Sequence, residues 1–231
     1  MPLYVYALTD VPVARWRTGE HIIESISVKG IFAVCEQRPS APPLTEEELR
    51  RQYSIVLRIG NAAPAVLPAR FGSLVNRAEL RDIVSRRERV IRDALALVRG
   101  NAQMTVRCRA VGQRTGSPGL KPWATTPRLK PWTTGVVAQP CGAGSKHAGR
   151  EYLERRLKET VPELPPFVKT ALHRVRHLVI SERQSVSFGA AVHHLIKQTD
   201  APTYRATLKN VRDLSVSGPA PPFAFAPELW P

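Results

Sequence analysis

Cysteine is scarce in this sequence: only Cys35, Cys108 and Cys141 are present, and they stand far apart. Three dispersed cysteines indicate neither a disulfide framework nor a paired CxxC zinc site. Long apolar runs are missing too, since no stretch approaches the roughly 18 to 20 residues that a membrane span requires. The opening MPLYVYALTD lacks the basic start and the extended apolar core of a signal peptide. We therefore expect a cytoplasmic protein with no membrane association.

Recognisable catalytic and cofactor motifs are missing as well. GQRTGSPG has the wrong glycine spacing for a dinucleotide loop, GAGSK lacks the glycine that precedes the lysine of a phosphate loop, and no GxSxG elbow occurs. His173 and His177 stand one helical turn apart, but the neighbouring Arg174 and Arg176 would repel a cation. We therefore expect no enzyme activity, no cofactor and no metal site.

Acidic residues are few beside the basic ones, with 19 Asp and Glu against 34 Lys and Arg and a net charge of +15. Such a balance is typical of a protein that meets nucleic acid, an anionic membrane surface or an acidic protein. The excess is spread over the whole chain and does not single out one of these classes. Residues 112–148 contain five basic residues and no acidic ones.

Two strands and a capped helix are predicted in the first sixty residues. LYVYAL alternates and GIFAVCEQ follows as a second strand. Thr45 and Glu48 have the spacing of a capping box at the start of TEEELRRQYSIVLRIG, and Gly60 is a natural end for that helix. The apolar residues that share one face of the helix are Leu49, Tyr53, Val56 and Leu57.

A second, longer helix is predicted over NRAELRDIVSRRERVIRDALALVRG. Asn76 and Glu79 have the spacing of another capping box. Arginines occupy the side of the helix opposite the apolar stripe. The stripe consists of Leu80, Ile83, Val84, Ile91, Ala94, Leu95 and Val98. QMTVRCRAV then alternates and is predicted to be the closing strand of the first domain.

Residues 112–148 lose these periodic patterns. They are rich in Gly, Pro, Thr and Lys and contain a short duplication, LKPWAT and LKPWTT. The segment is longer than a compact domain normally uses for a connection, which indicates a Pro/Gly-rich basic linker or insert.

Regular patterns resume in the second half of the chain. GREYLERRLKET, PPFVKTALHRVRHLV and APTYRATLKNVRD predict helices, and SVSFGAAVHHLI and LSVS predict strands. Strands and helices therefore alternate on both sides of the linker. This predicts an α+β fold with two α/β-sandwich-like domains, residues 1–111 and residues 149–231, the second ending in a Pro/Phe-rich tail.

Four motifs in this order resemble the GvpF/GvpL family of gas vesicle proteins. YVYAL lies in the opening strand, VLPARFG at residues 66–72 is similar to the family pattern LPxRFG, GREYL at residues 149–153 is similar to the start of the family's second domain, and GPAPPFAF is similar to GPWPPYSF. The resemblance covers most of the chain outside the linker. It implies an N-terminal α+β domain and a C-terminal ferredoxin-like domain.

The resemblance also implies a function without catalysis. A member of this family would be an accessory or minor structural protein that binds the small hydrophobic shell protein during gas vesicle nucleation or assembly, together with other accessory proteins. A shell subunit with a large apolar face needs such a partner before it polymerises. Two alternatives stay open: a basic nucleic-acid-binding module that uses the arginine-lined helix and the KPW units, and a diverged family member with another protein partner.

Two proline-flanked motifs supply the candidate partner-binding residues. In the first, Phe71 could instead be a core residue and Arg70 could bind a buried carbonyl. The second motif could dock on the N-terminal domain of the same chain or could present its rings to a partner. The candidate residues are Arg70, Phe71, Gly72, Pro219, Pro222, Phe223 and Phe225.

Overall fold

The computed structural model describes residues 1–108, 164–185 and 191–230. These residues form two antiparallel sheets and five α-helices, which confirms the mixed α and β composition predicted from the sequence. The strands are β1 (Leu3–Thr9), β2 (Trp16–Thr18), β3 (His21–Val28), β4 (Ile31–Gln37), β5 (Val66–Pro68), β6 (Leu74–Val75), β7 (Asn101–Cys108), β8 (Val179–Ser185), β9 (Ala191–Lys197) and β10 (Leu214–Ala220). The helices are α1 (Glu46–Ala62), α2 (Arg77–Arg86), α3 (Glu88–Val98), α4 (Pro166–Val175) and α5 (Ala201–Leu208).

The first sheet has the order β2-β3-β4-β1-β5, and β6 also pairs with β1. All seven residues of β1 are buried, because helices and the second half of the chain cover both of its faces. The predicted strands over LYVYAL and GIFAVCEQ are confirmed as β1 and β4. The strand β3 was not predicted, since the burial of its side chains does not alternate cleanly.

The first helix is confirmed, but its predicted apolar face is wrong. Thr45 Oγ1 accepts from the backbone N–H of Glu48, as the capping pattern predicted, and the helix ends at Ala62 rather than Gly60. The buried side chains of α1 are Gln52, Ile55, Val56 and Ile59. Only Val56 belongs to the predicted face, and the other three members of that face are exposed.

The polar Gln52 can face the core because both ends of its amide are bonded. Its carbonyl oxygen accepts from the Tyr4 hydroxyl at 2.5 Å, and its Nε2 donates to the carbonyl oxygen of Ala69 at 3.2 Å. A satisfied amide costs little on burial. With Gln52 bound in this way, α1 is oriented so that Leu49, Tyr53 and Leu57 face solvent.

The predicted long helix is two helices. Arg87 leaves helical geometry (φ −113°, ψ 16°) and separates α2 from α3. The Asn76 and Glu79 capping box is confirmed, with both of its reciprocal hydrogen bonds present. Two residues of α2 and three of α3 from the predicted stripe lie in the buried cluster that also contains residues of β1 and β4: Leu80, Val84, Ile91, Leu95 and Val98. The stripe therefore survives the break, because α2 and α3 both lie on the same core.

The second sheet has the order β10-β7-β9-β8, and all of its neighbours are antiparallel. The predicted strand over QMTVRCRAV is confirmed as β7, but its hydrogen-bonded neighbours are β9 and β10 and not strands of the first sheet. Helices α4 and α5 cover one face of this sheet and pack on Met104, Val106 and Ile196. The chain therefore enters its second sheet at Asn101.

Most predicted elements of the second half are present where the structure describes them. α4, α5 and β10 are confirmed, and the predicted strand over SVSFGAAVHHLI is confirmed in part as β9, since its Ser185 ends β8 and residues 186–190 lie outside the described residues. Val179, predicted inside a helix, begins the unpredicted strand β8. β10 runs through Ala220, so it includes the first residues of SGPAPPFAF. The predicted helix over GREYLERRLKET and the linker lie outside the described residues. The two-domain division and the ferredoxin-like assignment stay predictions.

The end of the chain joins the two sheets. Phe225, Leu229 and Trp230 lie in one buried cluster with Leu195 of β9 and with residues of β1, β4, α2 and α3. This terminal segment, residues 221–230, therefore forms part of the core instead of a loose tail.

Candidate functional site

The VLPARFG motif forms a buried strand followed by a half-exposed turn. Gly72 has φ +87°, and its backbone N–H donates to the Tyr4 hydroxyl at 3.2 Å. The rings of Phe71 and Tyr4 pack edge to face, with their centroids 6.5 Å apart. Burial raises the pKa of Tyr4, which keeps its hydroxyl a donor to Gln52. The Arg70 guanidinium is exposed and lies 3.5 Å from the Glu228 carboxylate. The turn is thus fixed to the core on one side and open on the other.

The terminal segment is held in place by hydrogen bonds to the backbone N–H and the backbone carbonyl of Ala224. Its N–H donates to Gln103 Oε1 at 2.8 Å, and its carbonyl oxygen accepts from Arg183 Nη1 at 2.8 Å. The Arg183 guanidinium carbon lies 5.6 Å from the centroid of the Phe225 ring. Phe225 is only 1% exposed, so it offers no surface to a partner. Phe223 points the other way and is 38% exposed. The segment docks on its own chain and also presents one ring to solvent.

Phe223 extends a row of exposed apolar side chains on α1, which we call the apolar ridge. Leu49, Tyr53 and Leu57 follow one another at successive turns and are 44%, 45% and 39% exposed, and the Phe223 ring stacks on Tyr53. Scattered exposed apolar residues are ordinary on protein surfaces, but a contiguous patch marks an interaction site. The helical spacing of Leu49, Tyr53 and Leu57 predicted one apolar face of α1 but not that this face is exposed.

A groove of about 550 Å³ continues from the ridge. It lies where the end of α1, the end of α3 and the terminal prolines approach one another. Leu57 belongs to both the ridge and the groove, so the two are continuous. The apolar residues that line the groove include Leu57, Pro64, Val66, Val98, Pro221 and Pro222. Of the candidate residues, this surface contains Phe223 and Pro222, and the exposed Pro219 also lines the groove.

The charges near the ridge are paired or stacked. Arg50 Nη2 lies 2.6 Å from Glu46 Oε1, and the Arg58 guanidinium lies 4.9 Å from the centroid of the Trp16 ring. The ridge is therefore bordered by one ion pair and one arginine that stacks on an aromatic ring. Such a surface suits an apolar partner rather than a charged one.

Metal binding, membrane insertion, thiol chemistry and nucleic-acid binding depend on features that can be read from the described residues. No group of three His, Cys, Asp or Glu among them could hold a metal ion, and none of their helices has the length and apolarity of a membrane span. Burial raises the pKa of the Cys35 thiol to about 12, so it stays protonated. The basic helix face is partly neutralised, since Arg86 pairs with Asp82 and Arg92 with Glu88. The KPW units lie outside the described residues.

Comparisons with known proteins agree with the motifs. The family model described as "Gas vesicle synthesis protein GvpL/GvpF" matches residues 2–227. The fold is similar to the crystal structure of the gas vesicle protein GvpF from Anabaena sp. PCC7120, with TM-score 0.64, 12% identity and 98% of each chain covered. It is also similar to that of GvpF from Microcystis aeruginosa, with TM-score 0.67, 11% identity and coverage of 98% of this chain and 99% of the other. No curated protein matches the sequence.

Proposed function

Since the chain belongs to the GvpL/GvpF family of gas vesicle synthesis proteins, we propose that it is a non-enzymatic accessory protein that binds the small hydrophobic shell protein during vesicle nucleation or assembly. We place this binding on the apolar ridge and its groove. The observation that carries the proposal is the contiguous exposure of Leu49, Tyr53, Leu57 and Phe223 beside the groove.

The ridge has the chemistry that an apolar shell subunit would need. Burying the exposed part of one large apolar side chain contributes about 1 kcal/mol, because complete burial of such a side chain is worth about 1.5 to 3 kcal/mol. Four adjacent side chains can together support a specific contact. At the border of the ridge, Arg50 is ion-paired with Glu46, and the Arg58 guanidinium stacks on the Trp16 ring.

The surface is also built in advance of binding. Leu49, Tyr53 and Leu57 lie on a helix whose opposite face is buried. Phe223 is positioned by the hydrogen bonds of the next residue, Ala224, whose backbone N–H and carbonyl bind Gln103 and Arg183. Few side chains and no backbone segment would have to become ordered on contact. A preorganised surface loses less conformational entropy when its partner binds.

We also propose where the protein acts, which further partners it has and how its second half is built. The protein acts in the cytoplasm and on the gas vesicle, alongside other accessory proteins of the same assembly. Its second half is a ferredoxin-like unit, an assignment supported by the strand order β10-β7-β9-β8 and by α4 and α5 on one face. That unit would include β7, so we place its start at Asn101 rather than at residue 149.

The test is co-expression with the shell protein followed by affinity capture. Wild-type protein is expected to retain the shell protein, and a Tyr53→Ser, Phe223→Ser double variant is expected to lose most of it. Val90→Ser is the control, because Val90 is a similarly exposed apolar residue on a helix outside the ridge. Capture by the double variant equal to that by the control would refute the ridge as the site. Failure of the wild-type protein to retain any shell protein would refute the proposed function itself.

A further inference from the structure

The second sheet has a polar face opposite α4 and α5, the two helices that pack on it among the described residues. Side chains of β7 and β9 alternate, so that Met104, Val106 and Ile196 face α4 and α5 while their neighbours face the other way. Cross-strand pairing aligns the outward residues in two adjacent rows. The first row is Ser185, Ala191, Arg107 and Ser215, and the second is Arg183, His193, Thr105 and Ser217. We call these eight residues the polar platform.

Hydrogen bonds organise the centre of the platform. His193 Nε2 lies 2.9 Å from Ser185 Oγ, and its Nδ1 lies 3.0 Å from Thr105 Oγ1. Burial and the nearby Arg107 guanidinium lower the pKa of His193, so the imidazole is neutral near pH 7. Around this centre, Arg107, Arg183, Ser215 and Ser217 are exposed. The platform thus combines a hydrogen-bonded centre around His193 with exposed guanidinium and hydroxyl groups at its edges.

The platform has a positive charge that nothing in its own rows balances. Neither row contains a carboxylate, and Arg107 has no ion-pair partner within the described part of the chain. Glu182 belongs to β8 but lies 3.0 Å from His194 Nε2, toward the helix-covered face. Asp213 stands just before β10, beyond the end of the platform. A ligand that supplies carboxylates would complement this surface.

Other occupants fit this surface less well. The adjoining row of the same face is already occupied, since Gln103 binds Ala224 and Leu195 lies in the cluster with Phe225. Residues 112–148 of this chain contain five basic and no acidic residues, so they cannot balance it. Single-stranded nucleic acid would need exposed rings for stacking, and the nearby described ring, Phe225, is buried beneath Arg183.

We propose that the polar platform binds a carboxylate-rich segment of a partner protein, with Arg107 and Arg183 as the cationic contacts and Ser215 and Ser217 as hydrogen-bond donors. The platform is separate from the apolar ridge, which lies on α1 and the terminal segment. The chain would therefore carry two interaction surfaces of different chemistry, one apolar and one for acidic protein. This goes beyond shell-protein binding and does not depend on it.

The test measures binding of a short labelled peptide of alternating glutamate and serine by fluorescence anisotropy. The same peptide with glutamine in place of glutamate is the neutral probe, and single-stranded DNA is the competing class of ligand. Arg107→Glu reverses a charge on the platform. Arg89→Glu makes the same change in net charge on α3, where the Arg89 side chain is 95% exposed, and is the matched control. Arg183 is not varied, because it also holds the terminal segment.

The wild-type protein is expected to bind the glutamate peptide and not the glutamine peptide. Arg107→Glu should weaken binding roughly tenfold, since a close attraction becomes a repulsion, whereas Arg89→Glu should change it about twofold or less. Ser217→Lys should tighten it. Equal effects of Arg107→Glu and Arg89→Glu would overturn the proposal, because they would mean attraction by net charge alone. No binding of the glutamate peptide, or tighter Arg107-dependent binding of DNA, would overturn it as well.

Discussion

The ring of Phe223 stacks on the ring of Tyr53, with centroids 6.1 Å apart and an angle of 16° between the planes. Phe225, two residues further on, is buried with Leu195, Leu229 and Trp230 in the core that joins the two sheets. Neighbouring phenylalanines of one motif therefore have different roles. Phe225 anchors the terminal segment, and Phe223 completes the surface that the anchored segment presents.

This division predicts opposite behaviour for two alanine variants. Phe225→Ala should lower the free energy of unfolding by about 3 to 5 kcal/mol, because it removes a ring from a closed core. Phe223→Ala should lower it by less than about 1 kcal/mol, since the ring is partly in water already, and should instead weaken capture of the shell protein. Urea unfolding of both variants measures the first effect. Equal destabilisation would contradict the division.

A second prediction concerns Gly218, where β10 approaches β7. Gly218 has φ +114°, and a Cβ there would lie 2.5 Å from the Gln103 carbonyl oxygen and 2.9 Å from Met104 Sδ. Gly218→Ala should therefore destabilise the protein by about 2 to 4 kcal/mol, since a strained backbone and a clash with main-chain atoms add together.

Gly72 is the control for this substitution. It also has a positive φ, +87°, but a Cβ there would meet nothing within 4 Å. Gly72→Ala should lower the free energy of unfolding by only about 1 kcal/mol, the backbone cost alone. A loss at Gly218 no larger than that at Gly72 would show that β10 can move away from β7 without penalty.

Local signals in the sequence predicted local structure well. The caps at Thr45 and Asn76 depend on residues three positions away, and both caps are present. The apolar stripe from Leu80 to Val98 is also local, and it survives the unpredicted break at Arg87.

Contacts between distant residues were not predictable in the same way. β7 alternates as any strand does, and nothing in its own residues says that its neighbours are β9 and β10. The orientation of α1 depends on Gln52 meeting Tyr4 and Ala69, which are 48 and 17 residues away. The apolar ridge was missed for that reason, because an apolar helix face is normally buried.

A third prediction tests the buried carboxylate of Glu36. Its Oε2 accepts from Arg51 Nη2 at 2.9 Å and its Oε1 lies 3.3 Å from Arg38 Nε, with all three groups largely shielded from water. Glu36→Gln keeps the shape but removes the fully buried counter-charge of Arg38 and Arg51 and leaves them only the carboxylate of Glu48, which lies 3.3 Å and 3.6 Å from their guanidinium nitrogens. The free energy of unfolding should fall by about 3 kcal/mol.

The exposed pair of Glu46 and Arg50 provides the comparison. Glu46→Gln also removes one carboxylate from an arginine, but both side chains are mostly in water. Exposed ion pairs contribute little, so this variant should unfold close to wild type. If Glu36→Gln were equally mild, the Glu36 pairs would have to be as well solvated as the surface pair.

The last prediction concerns the response to acid. His194 is 1% exposed, its Nδ1 lies 2.8 Å from the Tyr204 hydroxyl and its Nε2 lies 3.0 Å from Glu182. Burial lowers the pKa of His194, and the hydrogen bond that its ring can donate to the Glu182 carboxylate only partly opposes this. Burial and the Arg107 charge lower the pKa of His193 in the same direction. Both imidazoles are therefore harder to protonate in the folded chain than in the unfolded one.

A lowered histidine pKa means that the unfolded chain binds more protons as the pH falls below about 6.5, the ordinary histidine value. The free energy of unfolding should therefore decrease between pH 7.5 and pH 5.5. His194→Gln should show a smaller decrease, because one of the two groups no longer titrates. Urea unfolding at the two pH values measures both. A wild-type protein that is equally stable at the two values, or a variant that loses as much as wild type, would contradict this account of His194.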